Sequence, residues 1–160
     1  MVVASAKEDG TMANPDHARI HAEWHRAASQ RDGAALIALY ADDAVLESPL
    51  VPTILDDKEN GVLRGRDEIR RFLEAGARSR PIDLVRWYRS DEYFSAGSTL
   101  IWEYPRETPD GDQVEIVEVM EIGDGLIRHH RIYWGWFGAA LLTKSAAAKA
   151  REAALHPPPR

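Results

Sequence analysis

Three observations predict an α+β protein. Apolar residues recur at helical spacing through the first half of the chain, and strand-like runs of β-branched and aromatic residues fill most of the second. No alternating βαβ pattern joins the two halves. At 160 residues the chain fits one domain with room for a real core.

The elements follow in order. Residues 1–13 are small and polar and are expected to be a loose leading segment. Asn14-Pro15 reads as an N-cap followed by proline at the first helical position. The helix it opens runs to about Gln30, with Ile20, Trp24, Ala27 and Ala28 on the buried side. Asp32-Gly33 starts a second, shorter helix carrying Leu36, Ile37, Leu39 and Tyr40. Ala44–Ser48 alternates as a short strand and stops at Pro49. Pro49–Gly65 is a long connection of the kind that is functional or mobile. A third helix spans about Arg66–Arg78, with Ile69, Phe72, Leu73 and Ala77 in phase, and Pro81 closes it.

Four strand-like stretches come next: Ile82–Ser90, Glu92–Tyr104, Val114–Ile122 and Leu126–Trp136. The turn Pro109-Asp110-Gly111-Asp112 separates the second from the third. Ala139–Leu155 is alanine-rich and helix-prone, a packing or dimer element, and His156-Pro157-Pro158-Pro159 cannot continue it. The organisation is therefore a leading segment 1–13, a domain 14–138 and a helical, then proline-rich, tail 139–160. A curved sheet wrapped around helices encloses a pocket, the usual place for a small ligand.

Composition narrows the function classes. A formal charge of −6 argues against nucleic acid, whose phosphates demand a basic face. Arg64, Arg66, Arg70 and Arg71 cluster, but Asp67, Glu68 and Glu74 interleave with them as on a solvated helix face. Without cysteine there are no disulfides, thiolate metal sites or cysteine nucleophiles. No apolar run approaches the roughly 18–20 residues of a membrane span. Met1–Gly10 lacks the apolar core of a secretory signal, so a cytoplasmic protein is expected.

Chemistry concentrates in the last hairpin. Alternation puts Val114, Ile116, Glu118, Met120 and Ile122 on one face, with Glu118 the only acid in an apolar row. If Gly123-Asp124-Gly125 forms a three-residue loop, Ile122 pairs with Leu126 and Glu118 falls opposite His130. Their Cβ atoms would then lie roughly 4.5–5.5 Å apart. Such a pair is either an acid–base couple, with burial raising the carboxyl's proton affinity, or a structural salt bridge. His129 faces the other way, and Arg128 lies on the His130 face near the hairpin tip. Trp24, Trp102, Tyr104 and Trp134, with Ile116, Met120 and Ile132, are candidates for the pocket lining, and equally for plain core. Tyr40 and Ser48 join them as candidate substrate contacts. Ser48, His130 and Glu118 make a nucleophilic triad on paper, without a nucleophile-elbow motif around the serine. His17, His21 and His25 recur every four residues; with no carboxylate beside them they read as a solvated stripe, and no metal site is expected.

Three segments carry a resemblance. Tyr40-Ala41-Asp42-Asp43-Ala44-Val45-Leu46-Glu47-Ser48-Pro49 resembles the helix-to-strand motif of the nuclear-transport-factor-2-like superfamily. Arg64-Gly65-Arg66-Asp67-Glu68-Ile69 resembles the start of its third helix, and Gly123-Asp124-Gly125-Leu126-Ile127 its final hairpin. The pattern is most similar to ketosteroid isomerases and SnoaL-like polyketide cyclases, over about residues 15–138. The resemblance implies a cone-shaped, curved antiparallel sheet around three N-terminal helices, usually dimeric, with a deep apolar pocket and no obligatory cofactor. The isomerases' base would fall at Ser48, their oxyanion-binding tyrosine at Trp24, and their protonated aspartate at Glu118. One acid of that set survives, which argues against the isomerase mechanism. No inward Arg-x-Asp precedes Ile132, which argues against the limonene-epoxide-hydrolase mechanism. Pocket histidines and acids of the cyclase and dehydratase kind are nearest to His130 and Glu118.

Two functions remain open at this level. One is a cofactor-free enzyme for isomerisation, cyclisation or dehydration of an apolar, oxygenated ring compound, with Glu118 and His130 as the acid–base pair. Ser48 or Tyr104 would hold a substrate oxygen, and Pro49–Gly65 would act as a lid. The other is a non-catalytic binding or scaffold protein whose pocket is filled by aromatics. The outward row Glu115, Val117, Val119 and Glu121, against His129, Arg131 and Tyr133, mixes charge with apolar surface and predicts a homodimer.

Overall fold

A computed structural model of the protein describes residues 14–79, 86–87, 92–107 and 113–155. The expected leading segment 1–13, most of the strand expected over 82–90, the turn 109–112 and the tail from 156 lie outside the described residues.

Helix α1 (Pro15–Gln30) starts as its sequence dictates: the Asn14 side chain accepts the Asp16 backbone N–H at 3.0 Å, with proline in the first turn. Its buried side carries His17, Ile20, His21, Trp24, Ala27 and Ala28, a stripe at helical spacing. Arg31 ends it in the left-handed conformation (φ 57°). Helix α2 (Gly33–Ile37) is capped by Asp32, whose carboxylate accepts the Ala35 N–H at 2.9 Å. The strand that follows is longer than the alternation suggested: β1 (Tyr40–Glu47) takes Tyr40 out of the helix. The connection after it is partly regular. It holds a one-turn helix α3 (Val51–Ile54) and a short strand β2 (Val62–Arg64) before α4 (Arg66–Ser79).

The second half builds β3 (Arg86–Trp87), β4 (Phe94–Ala96), β5 (Thr99–Glu107), β6 (Gln113–Gly123) and β7 (Leu126–Trp134). Helix α5 (Trp136–Leu155) follows directly, so Trp136 opens a helix and does not end a strand. The strand order is β2-β1-β7-β6-β5-β3, with β4 also paired to β5. The α+β class is as expected, but the sheet is mixed. The β1–β7 pair is parallel while every other pairing is antiparallel. Alternation reveals which face of a strand is buried and says nothing about its direction.

The core sits between α1, α2, α4 and the inner face of the sheet. Tyr40, Leu46, Leu63, Ile69, Leu100 and Met120 are among its fully buried side chains. Trp24 of α1 meets Trp102 of β5 edge-on, ring centroids 5.3 Å apart. Arg66 at the start of α4 donates to the Tyr40 carbonyl from Nε at 3.0 Å and Nη2 at 2.5 Å, and pairs with Asp42 at 2.9 Å. That clamp fixes the first residue of β1 against the helix layer.

The last hairpin turns differently from expectation. Gly123 pairs with Leu126, so the loop is the two residues Asp124-Gly125, both at positive φ (52° and 72°). This is the turn geometry favoured by an Asp-Gly pair. Ile122 then faces Ile127, and Glu121 faces His129, which leaves Arg128 as an extra residue on β7. The tight turn moves the register by one and the bulge moves it by one more. Glu118 consequently pairs with Ile132, and His130 with Met120. Two one-residue shifts preserve the face, so acid and imidazole remain on the inner side as diagonal neighbours. Arg128 itself is exposed and pairs with Asp124, and does not join the inner face.

Candidate active site

Glu118 and His130 are each 1% exposed, and His130 Nε2 is hydrogen-bonded to a Glu118 carboxylate oxygen. The other imidazole nitrogen, Nδ1, lies 2.7 Å from the hydroxyl of Tyr40, which is fully buried. Burial, and secondarily the Glu118 charge, push the Tyr40 phenol well above its ordinary range, with an approaching Trp24 indole N–H as a smaller opposing influence. The phenol therefore keeps its proton and is able to donate it to Nδ1. With the phenol as donor, Nε2 carries the imidazole proton toward the Glu118 carboxyl group. Tyr40, His130 and Glu118 are linked in one buried chain of hydrogen bonds.

A cavity of about 540 Å³ lies beside the acid, between the inner sheet face, α1, α2, α4 and α5. Glu118, Trp24, Ser48, Ile116, Ile132 and Trp134 are all on its wall. Leu36, Ile54, Phe72 and Leu141 add further apolar surface, and Arg31 and Thr53 supply polar groups. The Ser48 Oγ accepts the Leu50 N–H at 3.2 Å, which directs the serine's own O–H elsewhere as a donor.

Several expected lining residues are absent from the wall. His130 stands behind Glu118, and Tyr40 behind His130; both are buried core. Met120, 0% exposed, sits one residue pair nearer the hairpin tip, opposite His130. Trp102 pairs with Glu118 but turns into the aromatic cluster with Trp24, His21 and His25. Backbone pairing sets Tyr104 opposite Ile116; its side chain lies outside the description. The nucleophilic triad does not form, because Tyr40 and Glu118 occupy both nitrogens of His130.

The histidine stripe of α1 is a second correction. His17 and His21 are buried rather than solvated, since this face of the helix lies against the sheet. His17 Nδ1 meets the Ser95 hydroxyl at 2.7 Å, and His25 Nδ1 meets the His21 carbonyl at 2.8 Å. Burial holds the His17 imidazole below its usual proton affinity, with Asp16 opposing. Among the described residues no group of three or more histidines and acids could hold a metal, and no helix is long and apolar enough to cross a membrane.

The SnoaL-like domain model matches residues 21–130, a span that contains Tyr40, Glu118 and His130. The chain belongs to the SnoaL-like family. No curated protein matches it. Among solved structures, a SnoaL-like protein of unknown function from Burkholderia thailandensis is 20% identical, with a TM-score of 0.61 over 75% of this chain and 94% of its own. A protein from Kribbella flavida is 21% identical, with a TM-score of 0.57 over 81% and 95%. A de novo designed protein with a curved β-sheet reaches 0.61 at 14% identity, over 86% and 99%. At such identities the likeness is one of fold. In this SnoaL-like chain the matched span stops before Ile132, Trp134 and α5, which close the cavity beside the acid.

Sequence reasoning missed Tyr40 as the third member of the chain of hydrogen bonds. The available signal was weak: a polar-tipped aromatic ending an apolar run needs a buried partner for its hydroxyl.

Proposed function

We propose that the protein is a cofactor-free acid–base catalyst for isomerisation, cyclisation or dehydration of an apolar, oxygenated ring compound. The observation that carries this reading is a buried carboxylate on the wall of an apolar cavity of about 540 Å³, braced from behind by a hydrogen-bonded histidine. Glu118 removes or returns the substrate proton. His130 does not touch substrate; it orients the carboxylate and stabilises its charge. Ser48 donates to a substrate oxygen across the cavity, where the family's isomerases have a base. A volume well above roughly 300 Å³ favours ligand binding over a filled core.

Ring-opening of 5-nitrobenzisoxazole tests the base directly. A carboxylate takes the ring C–H proton, the freed pair forms the nitrile, the N–O bond breaks, and a coloured cyanonitrophenolate leaves. The wild type should accelerate this reaction, and Glu118→Gln should lose about 10²–10⁴-fold. Equal rates in the two proteins would remove Glu118 from catalysis.

We also infer a homodimer through the outer face of the last hairpin. Val117 and Val119 are only half-buried there, and Tyr133 remains 54% exposed. Light scattering at micromolar concentration should give twice the chain mass; a monomer would refute the interface.

A further inference from the structure

Resting on the ligand-binding reading above, we propose that the ligand is elongated, with its ring at Glu118 and a linear apolar tail passing out through a gap between β1 and β7. The gap follows from strand lengths. The parallel β1–β7 pairing reaches Glu47 opposite Arg131, where β1 ends, while β7 continues to Trp134. Among the described residues, the β7 edge over Ile132–Trp134 therefore has no strand beside it on the β1 side.

That space is a groove of about 540 Å³, bounded by Pro49, Val62, Tyr133, Ala139 and Thr143. Four residues belong both to its wall and to that of the inner cavity: Ser48, Ile132, Trp134 and Leu142. The two spaces thus meet at these four residues, three of them apolar. Its outer rim carries the Glu47–His129 and Arg131–Glu121 pairs, so the charged groups nearby already satisfy one another. A groove that is apolar inside, with its rim charges paired among themselves, suits a hydrocarbon chain better than an ionic headgroup. Gly61 lets the chain entering β2 lie close against the end of β1 at the groove's edge, where a Cβ would come within 2.6 Å of the Ser48 carbonyl oxygen.

Calorimetric titration with 4-ethylphenol and 4-octylphenol separates the two ideas. Ethylphenol fits within the inner cavity; octylphenol needs the groove. Wild type should bind octylphenol at least about thirtyfold more tightly, since each buried methylene adds severalfold. Ala139→Trp, which fills the groove without facing the cavity, should weaken octylphenol at least tenfold and leave ethylphenol within twofold. Should Ala139→Trp fold poorly, Thr143→Trp blocks the same groove from an exposed helix position. Equal affinity of the two phenols in wild type, or equal weakening of both by a well-folded groove variant, overturns the tail site alone. Absence of binding by either phenol overturns the cavity reading together with it.

Discussion

Glu118 and His130 were legible as a pair because the inner row of β6 contains one acid and the inner row of β7 one imidazole. Their order of action was not legible. In sequence either group reads as the one that moves a proton; folding sets Glu118 on the cavity wall with His130 behind it. Tyr40 completes the arrangement through its hydrogen bond to Nδ1. Tyr40→Phe should leave that buried nitrogen without its hydrogen-bond partner, at a cost of about 1–3 kcal/mol in urea unfolding. The same variant should slow benzisoxazole ring-opening roughly tenfold and shift its pH profile. A change in stability with an unaltered profile would reduce Tyr40 to a packing residue.

At the scale of elements, the last hairpin shows how local rules combine into an outcome none of them states. The Asp124-Gly125 turn alone would set Glu118 and His130 on opposite faces. The extra residue Arg128 restores the match. Inserting one alanine between His129 and His130 should turn His130 outward and force Arg131 toward the core, abolishing cooperative thermal unfolding. An insertion variant with a wild-type melting curve would show that the strand tolerates the slip. Helix α5 depends on a similar local detail. A side chain at Gly138 would overlap the Trp134 ring, so glycine is what lets this helix lie close over the cavity. Over 20 residues the helix extends about 30 Å, and among its described side chains those that reach the cavity wall lie in its first half.

The whole molecule buries a histidine-bearing helix face against its sheet, and acid should find that weakness. The His17 proton affinity is lowered on folding, so the unfolded chain takes up the proton first as pH falls below about 6.5. The stability linked to this site is full above that value and declines below it. The melting temperature should drop between pH 7 and pH 5, and by less in His17→Gln, which keeps a partner for Ser95 without a titrating ring. Identical slopes in the two proteins would clear His17 of the effect.

Amphipathic spacing, the caps at Asn14 and Asp32, and strand alternation are properties of neighbouring residues, so the α+β class and the inner faces of β6 and β7 could be read from the chain by itself. Tyr40 could not be assigned so easily, because the apolar run Leu36–Tyr40 satisfies a helix and a buried strand equally well. The parallel neighbour of β7, the burial of the histidine stripe and the choice of Glu118 over His130 as the cavity-facing group depend on contacts between residues 78 to 90 positions apart. Those are decided by which layers close on one another, an energy of the assembled core that no local stretch of sequence contains.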